Sequence, residues 1–340
     1  MSFVPCTGKN NLITDVAGIS VGNAGDEKRA SGVTAILTGQ GAVAGVDVRG
    51  GGPATRETDA LDPSCLVGKI HGVVLSGGSV FGLAAADGAV QALAGQGIGF
   101  TFGGQPHPCP VVPAACLFDL TNGADKAWGN TPPYRELGAA ACKAASADFA
   151  LGNQGAGLGA AAGCLKGGLG SASSVSDGVT IGALAAVNSF GSAVVPGTDC
   201  LWAAPFAVGN EYPGGGLPGL DGNLDQTKGT KAELSAGADA PGRNTTLCVV
   251  ATDADLTKAQ AERLAIMAGD GMARALRPVH TPFDGDIVFA LATGATNRRP
   301  DPLELAKLGG LAADCLARAI ARGVWEAGSI FGIPALNPAN

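Results

Sequence analysis

The sequence predicts an α/β protein, and three stretches carry that reading. Residues 11–48 are rich in short β segments. Gly72-Val73-Val74-Leu75 leads through the glycine elbow Ser76-Gly77-Gly78-Ser79 into a small-residue helix, Phe81 to Gly97. Beyond residue 244 a strand, a helix, a second strand and a final helix follow in turn.

The opening segment, Asn11 to Gly22, reads as two short β segments around a glycine turn. Val33–Leu37 and Ala42–Val48 follow as successive strands. Arg49 to Asp59 is a glycine loop with two arginines and two acids that could line a pocket or simply face solvent. The elbow at 76–79 fails the spacing of a dinucleotide or Walker loop. Its glycines instead let a helix N-terminus lie close to the sheet and offer backbone N–H groups to an oxyanion. Val111 to Leu120 reads as an apolar strand and Arg135 to Ala145 as a helix. Ala150 to Gly170 is almost wholly small, and Lys166 is the one charge between Asp148 and Asp177. Such a lysine either snorkels to solvent or sits where its pKa falls. Val179 to Val187 is a strand ending at Asn188, whose amide can serve an oxyanion or cap the next turn.

Two textures meet at Asn244-Thr245. Some thirty residues of glycine, proline and scattered charge run up to Gly242, and the apolar strand Leu247 to Ala251 follows. If the bond before Thr245 is cut, the new α-amine has a reference pKa of roughly 7.7–8.0, so one residue supplies both nucleophile and base. An ordinary loop-to-strand junction is the plainer alternative. Thr257 to Gln260 has capping-box form at the start of the next helix. Phe283-Asp284-Gly285-Asp286 turns into the strand Ile287 to Leu291, and Leu303 to Trp325 is an amphipathic helix. Asp284 and Asp286 lie about forty residues past Thr245, far enough for two neighbouring strands with a helix between them. A paired acid there could hold the amine's proton, or merely shape the turn.

Bulk properties exclude several classes. Hydrophobic residues make up 46% and charged residues 15%, which marks a folded chain; its 55 glycines are more than double the usual share. A net charge of −7 without basic clusters argues against nucleic acid. No apolar run is long enough for a membrane span, and Met1 to Cys6 lacks the features of a secretory signal. Nine cysteines without a C-x-x-C pair point to a reducing, cytoplasmic compartment. His71, His107 and His280 show no ligand spacing, so neither metal nor cofactor is expected.

Taken together, Thr14-Asp15-Val16 to Val21-Gly22, Arg49-Gly50-Gly51 to Asp59, Ser76 to Leu83, Lys166-Gly167-Gly168, Val187-Asn188, Asn244-Thr245-Thr246, Ala251 to Ala254 and Asp284-Gly285-Asp286 give the chain a family resemblance. It resembles the N-terminal-nucleophile hydrolases that include the DmpA-type aminopeptidases, the β-peptidyl aminopeptidases and the nylon-oligomer hydrolase. The resemblance implies one four-layer αββα domain over residues 1–340, cut before Thr245 into fragments 1–244 and 245–340 that stay interlocked. It implies that Thr245 attacks an amide carbonyl, that Asn188 donates to the oxyanion, and that Asp284 and Asp286 surround the amine. Its substrates are small peptides and related amides near a free amine, and the assembly it implies is a homotetramer. By the same resemblance Lys166 is a candidate proton relay, although this chain departs from the nylon-oligomer branch there, with Gly163-Cys164 where that branch has its lysine and Lys166 two places on; Phe118 stands where that branch has a tyrosine. A similar fold with a cleavage-revealed threonine serves the ornithine acetyltransferases, so acyl transfer is one alternative, and a non-catalytic binding protein is another.

Overall fold

The computed structural model describes residues 6–219, 222, 224–234 and 244–340. In chain order the strands are β1 (Ser20–Asp26), β2 (Ser31–Val48), β3 (Thr55–Arg56), β4 (Ile70–Ser76), β5 (Ala114–Cys116), β6 (Ala161–Ala162), β7 (Leu165–Lys166), β8 (Leu169–Ser176), β9 (Val179–Asn188), β10 (Thr245–Thr252) and β11 (Ile287–Ala292). The helices are α1 (Ala85–Gly95), α2 (Tyr134–Lys143), the single turn α3 (Lys231–Leu234), α4 (Lys258–Ala275) and α5 (Pro302–Trp325).

Hydrogen bonding runs along one path, β3-β5-β4-β2-β11-β10-β9-β8, with β1 on β2. The long β2 divides that path into two layers. Its first half pairs with β4, Val33 opposite Ser76, and its second half pairs with β11, Val48 opposite Ile287. Between the halves the register shifts, at Gly39 (φ 55°) and Gly41 (φ 84°). Both glycines take left-handed backbone that a side chain would resist, so the strand turns from one layer into the other without ending. The two strands expected at 33–37 and 42–48 are therefore one.

Strand alternation then sorts the core into three slabs. Leu247, Val249, Phe289 and Leu291 point inward to meet Val73, Leu75 and Leu117 between the layers. Cys248, Val250, Val288 and Ala290 point outward onto Leu264, Met272, Leu316 and Ile320 of α4 and α5. On the far side, Val33, Ala35 and Val74 pack under Ala85, Ala89, Leu93 and Ala141 of α1 and α2. The order helix, sheet, sheet, helix is the αββα sandwich that the resemblance implied.

Capping fixes the last two helices. Thr257 accepts the Gln260 N–H and Gln260 returns a bond to the Thr257 N–H, and Asp301 and Glu304 do the same for α5. Other expectations shift. Residues 13–15 form a 3-10 turn instead of a β segment, because the Asp15 carboxylate collects the N–H groups of Asn10 and Leu12. The strand expected over 111–120 shrinks to β5, since Pro110 and Pro113 have no N–H for a ladder.

Candidate active site

Thr245 opens β10 opposite Asn188, the last residue of the antiparallel β9. Both are buried, at 2% exposure each, as are Asp284 and Asp286 at 1%. Apolar alternation fixed the registers of β9, β10 and β11, and those registers carry the four polar side chains to one end of the sheet.

The Asp284-Gly285-Asp286 turn is stitched to everything around it. The Asn244 carbonyl accepts the Gly285 N–H at 2.8 Å, and it also accepts the Thr245 hydroxyl. Asp286 accepts the Thr246 N–H at 2.8 Å through Oδ1; through Oδ2 it engages His280, backbone N–H at 3.1 Å and Nδ1 at 2.9 Å. Asp284 accepts the Phe190 N–H at 3.0 Å through Oδ1, and the Thr281 N–H and hydroxyl through Oδ2. One carboxylate thus grips β10 and the other grips the end of β9. Burial, with the Asp286 charge beside it, raises the Asp284 pKa above the ordinary carboxylate range. Gly285 has no alternative: a Cβ there would stand 2.7 Å from both the Thr245 hydroxyl oxygen and the Gly52 carbonyl oxygen.

The glycine loop after β2 closes the back of this turn. Arg49 and Gly50 donate to the Asp286 carbonyl and Gly52 donates to the Asp284 carbonyl. A Cβ on Gly50 would meet the Asp286 nitrogen at 2.2 Å. The charges of the loop go elsewhere, Arg56 to Asp87 and Glu57 to the Val112 N–H. The elbow at 76–79 is equally committed. Gly77, Gly78 and Ser79 donate their N–H groups to the Gly32 carbonyl, the Asp119 carboxylate and the Leu117 carbonyl. It braces the sheet instead of offering donors to an oxyanion.

Asn188 is held by its amide oxygen. Oδ1 accepts from the Ala161 N–H and from Lys231 Nζ, both at 3.0 Å, and Nδ2 donates to the Phe118 carbonyl at 2.9 Å. These partners set the amide orientation, because Oδ1 faces donors and Nδ2 faces an acceptor. The structure does not bring the Lys166 ammonium into this group. Its Nζ donates to the Gly157 and Gly167 carbonyls at 3.0 and 2.5 Å, and burial pulls its pKa down to about 7. Its strand connects it to the site, since β7 pairs with β6 and Ala161 of β6 donates to Asn188.

Two site residues escaped sequence reasoning. Lys231 belongs to a polar, glycine-rich stretch with no periodicity, so nothing local marked it. His280 was weighed only for metal spacing, and the short His280-to-Asp286 interval is the signal that could have found it.

Compared with known proteins, the chain matches the model of peptidase family S58 over residues 11–335. It is 43% identical to an uncharacterized aminopeptidase of Mycobacterium tuberculosis, covering 95% of this chain and 96% of that one. It is 28% identical to a 6-aminohexanoate-oligomer endohydrolase of Kocuria sp., over 85% and 77% of the respective chains. Among solved structures it is similar to the L-aminopeptidase D-Ala-esterase/amidase of Ochrobactrum anthropi, an Ntn-hydrolase fold. That match has a TM-score of 0.67 at 23% identity, covering 97% of this chain and 91% of that one.

Proposed function

The chain belongs to peptidase family S58 and is a hydrolase of amide bonds, and we propose that it is an autoprocessed aminopeptidase in which Thr245 is both nucleophile and base. The observation that carries this reading is the convergence of Thr245, Asn188, Asp284 and Asp286 at one buried strand end.

Processing comes first. Thr245 Oγ attacks the Asn244 carbonyl carbon, and the developing oxyanion keeps the Gly285 N–H that its carbonyl already accepts. The C–N bond breaks as the hydroxyl proton passes to the Thr245 nitrogen, leaving an ester between Asn244 and Thr245. That acyl shift already frees the Thr245 α-amine, and water then hydrolyses the ester, releasing the Thr245 hydroxyl and the Asn244 carboxylate. In turnover the amine takes the hydroxyl proton while Oγ attacks a substrate amide. Asn188 Nδ2 donates to the oxyanion, and the leaving amine collects the proton. Water then releases the acyl group by the same route. Asp286, bonded to the adjacent Thr246 N–H, and Asp284 hold the turn that faces the amine.

Substrates in this reading are short peptides or related amides with a nearby free amine, and β-peptides or aminohexanoate oligomers extend that range. The mature enzyme is a cytoplasmic homotetramer. Free thiols at all nine cysteines support the compartment. Among the described residues no helix is long and apolar enough to cross a membrane.

On a denaturing gel the mature protein should run as pieces of 244 and 96 residues, the smaller one beginning Thr-Thr-Leu. Thr245→Ala should stay uncut and lose peptide hydrolysis by at least about 10³-fold. Hydrolysis retained in that variant would remove Thr245 from its role.

A further inference from the structure

Resting on the reading of Asn188 as oxyanion donor, we infer that Lys231 is a positioning residue that aims and strengthens that donor. Its Nζ lies 3.0 Å from Asn188 Oδ1 and 3.4 Å from the Asn188 backbone carbonyl oxygen. Both bonds leave the ammonium on one edge of the amide, with Nδ2 on the other.

The lysine is built into place. A Cβ on Gly163, whose φ is 58°, would strike the Gly229 carbonyl oxygen at 2.1 Å, so only glycine lets the 229–231 segment dock. Cys164 completes that contact, its N–H donating to the Gly229 carbonyl and its thiol to the Thr230 carbonyl. The Lys231 N–H donates to the Phe190 carbonyl, two residues past Asn188. Backbone and ammonium are thereby both tied to the end of β9.

Chemistry gives the contact a purpose. An amide whose oxygen accepts from a cation is polarised, so its N–H groups donate more strongly. The same bond forbids the flipped amide, which would point Nδ2 at an ammonium and turn an acceptor toward the oxyanion. Burial pulls the Lys231 pKa down to about 7, with Asp284 and then the Cys164 sulfur opposing it, so the ammonium holds at and below neutral pH and Nζ remains a donor to Oδ1 above it. Gly285, by contrast, serves the Asn244 carbonyl, so Lys231 acts on turnover and not on self-cleavage.

The test is a set of full-length variants assayed on one dipeptide amide. Lys231→Met should still give both fragments on a denaturing gel. Its kcat should fall about 10²-fold, the range for losing an oxyanion donor, with KM within about twofold of the parent. Lys231→Arg should restore kcat to within about tenfold. In an Asn188→Ala background Lys231→Met should cause no further loss. A kcat loss under threefold, multiplicative losses with Asn188→Ala, a rise in KM alone, or a Lys231→Met chain that stays uncut would each overturn the assignment. None of these results touches the role of Thr245, which its own variant tests.

Discussion

A single buried ammonium shows how far surroundings set a residue's chemistry. Lys166 is fully buried, its hydrogen bonds go to backbone carbonyls, and its pKa falls to about 7 in the fold. In the unfolded chain the value returns to about 10.4. Between those limits the unfolded chain binds more protons, so this group's contribution to stability rises with pH, by up to about 1.4 kcal/mol per unit. Urea unfolding in the uncut Thr245→Ala background checks it. The chain carrying Lys166 should gain on its Lys166→Met counterpart from pH 7 toward pH 10. A difference independent of pH would mean that the ammonium stays charged in the fold. The sequence flagged Lys166 because it stands alone among small residues, but isolation reports burial and says nothing of direction. Lys231, amid other polar residues, gave no such flag, yet it is the lysine that touches Asn188.

At the scale of elements, the Asp-Gly-Asp turn is where sequence and site meet. Its glycine is read in sequence as turn chemistry, and packing gives it a second task. An alanine methyl at 285 would press on the Thr245 hydroxyl and on the Gly52 carbonyl. Relieving that overlap costs about 1–3 kcal/mol and moves Thr245 from its position, and a shift of about 1 Å is worth about 10²-fold in rate. Gly285→Ala should therefore fold but self-cleave about 10²-fold more slowly, read by the time course of fragment appearance. Cleavage at the parental rate would show that the turn tolerates the methyl. The elements themselves were legible where periodicity was strong. β9, β10, β11, α4 and α5 lie within a few residues of their expected positions. β8 was missed, because Leu169–Ser176 is mostly glycine, alanine and serine, with too little contrast for alternation to register. Its hydroxyls make up the difference, Ser171 bonding the Ala183 carbonyl and Ser173 the Asp15 carboxylate.

For the whole molecule, the strand order determines what a cut can do. Strands β10 and β11 follow the Asn244-Thr245 bond in sequence, yet they lie between β2 and β9, which precede it. The fragments would thus share one sheet and three core slabs. A buried Arg318 fork on Glu211, with Asn11 bonded to both, ties α5 to the earlier part of the chain. Breaking such a pair leaves an uncompensated charge, at a cost of about 3–5 kcal/mol. After cleavage both pieces should co-elute in native size-exclusion chromatography, at a scattering mass near four times 33.2 kDa for the proposed tetramer. They should separate only in denaturant. Fragments that part without denaturant would contradict the interlocked arrangement.

The sequence by itself determined the strands and helices around the site, the position of Thr245 at a strand mouth, and the family resemblance. These depend on periodicity, caps and ordered motifs, which are local or linear in the chain. Only the tertiary structure decided that β2 is one strand shared by two layers, that the 76–79 elbow spends its N–H groups on the fold, and that Lys231 and His280 join the site in place of the Lys166 ammonium. Those outcomes turn on which groups end within hydrogen-bond distance once distant segments pack, and the spacing of residues along a chain carries no record of that.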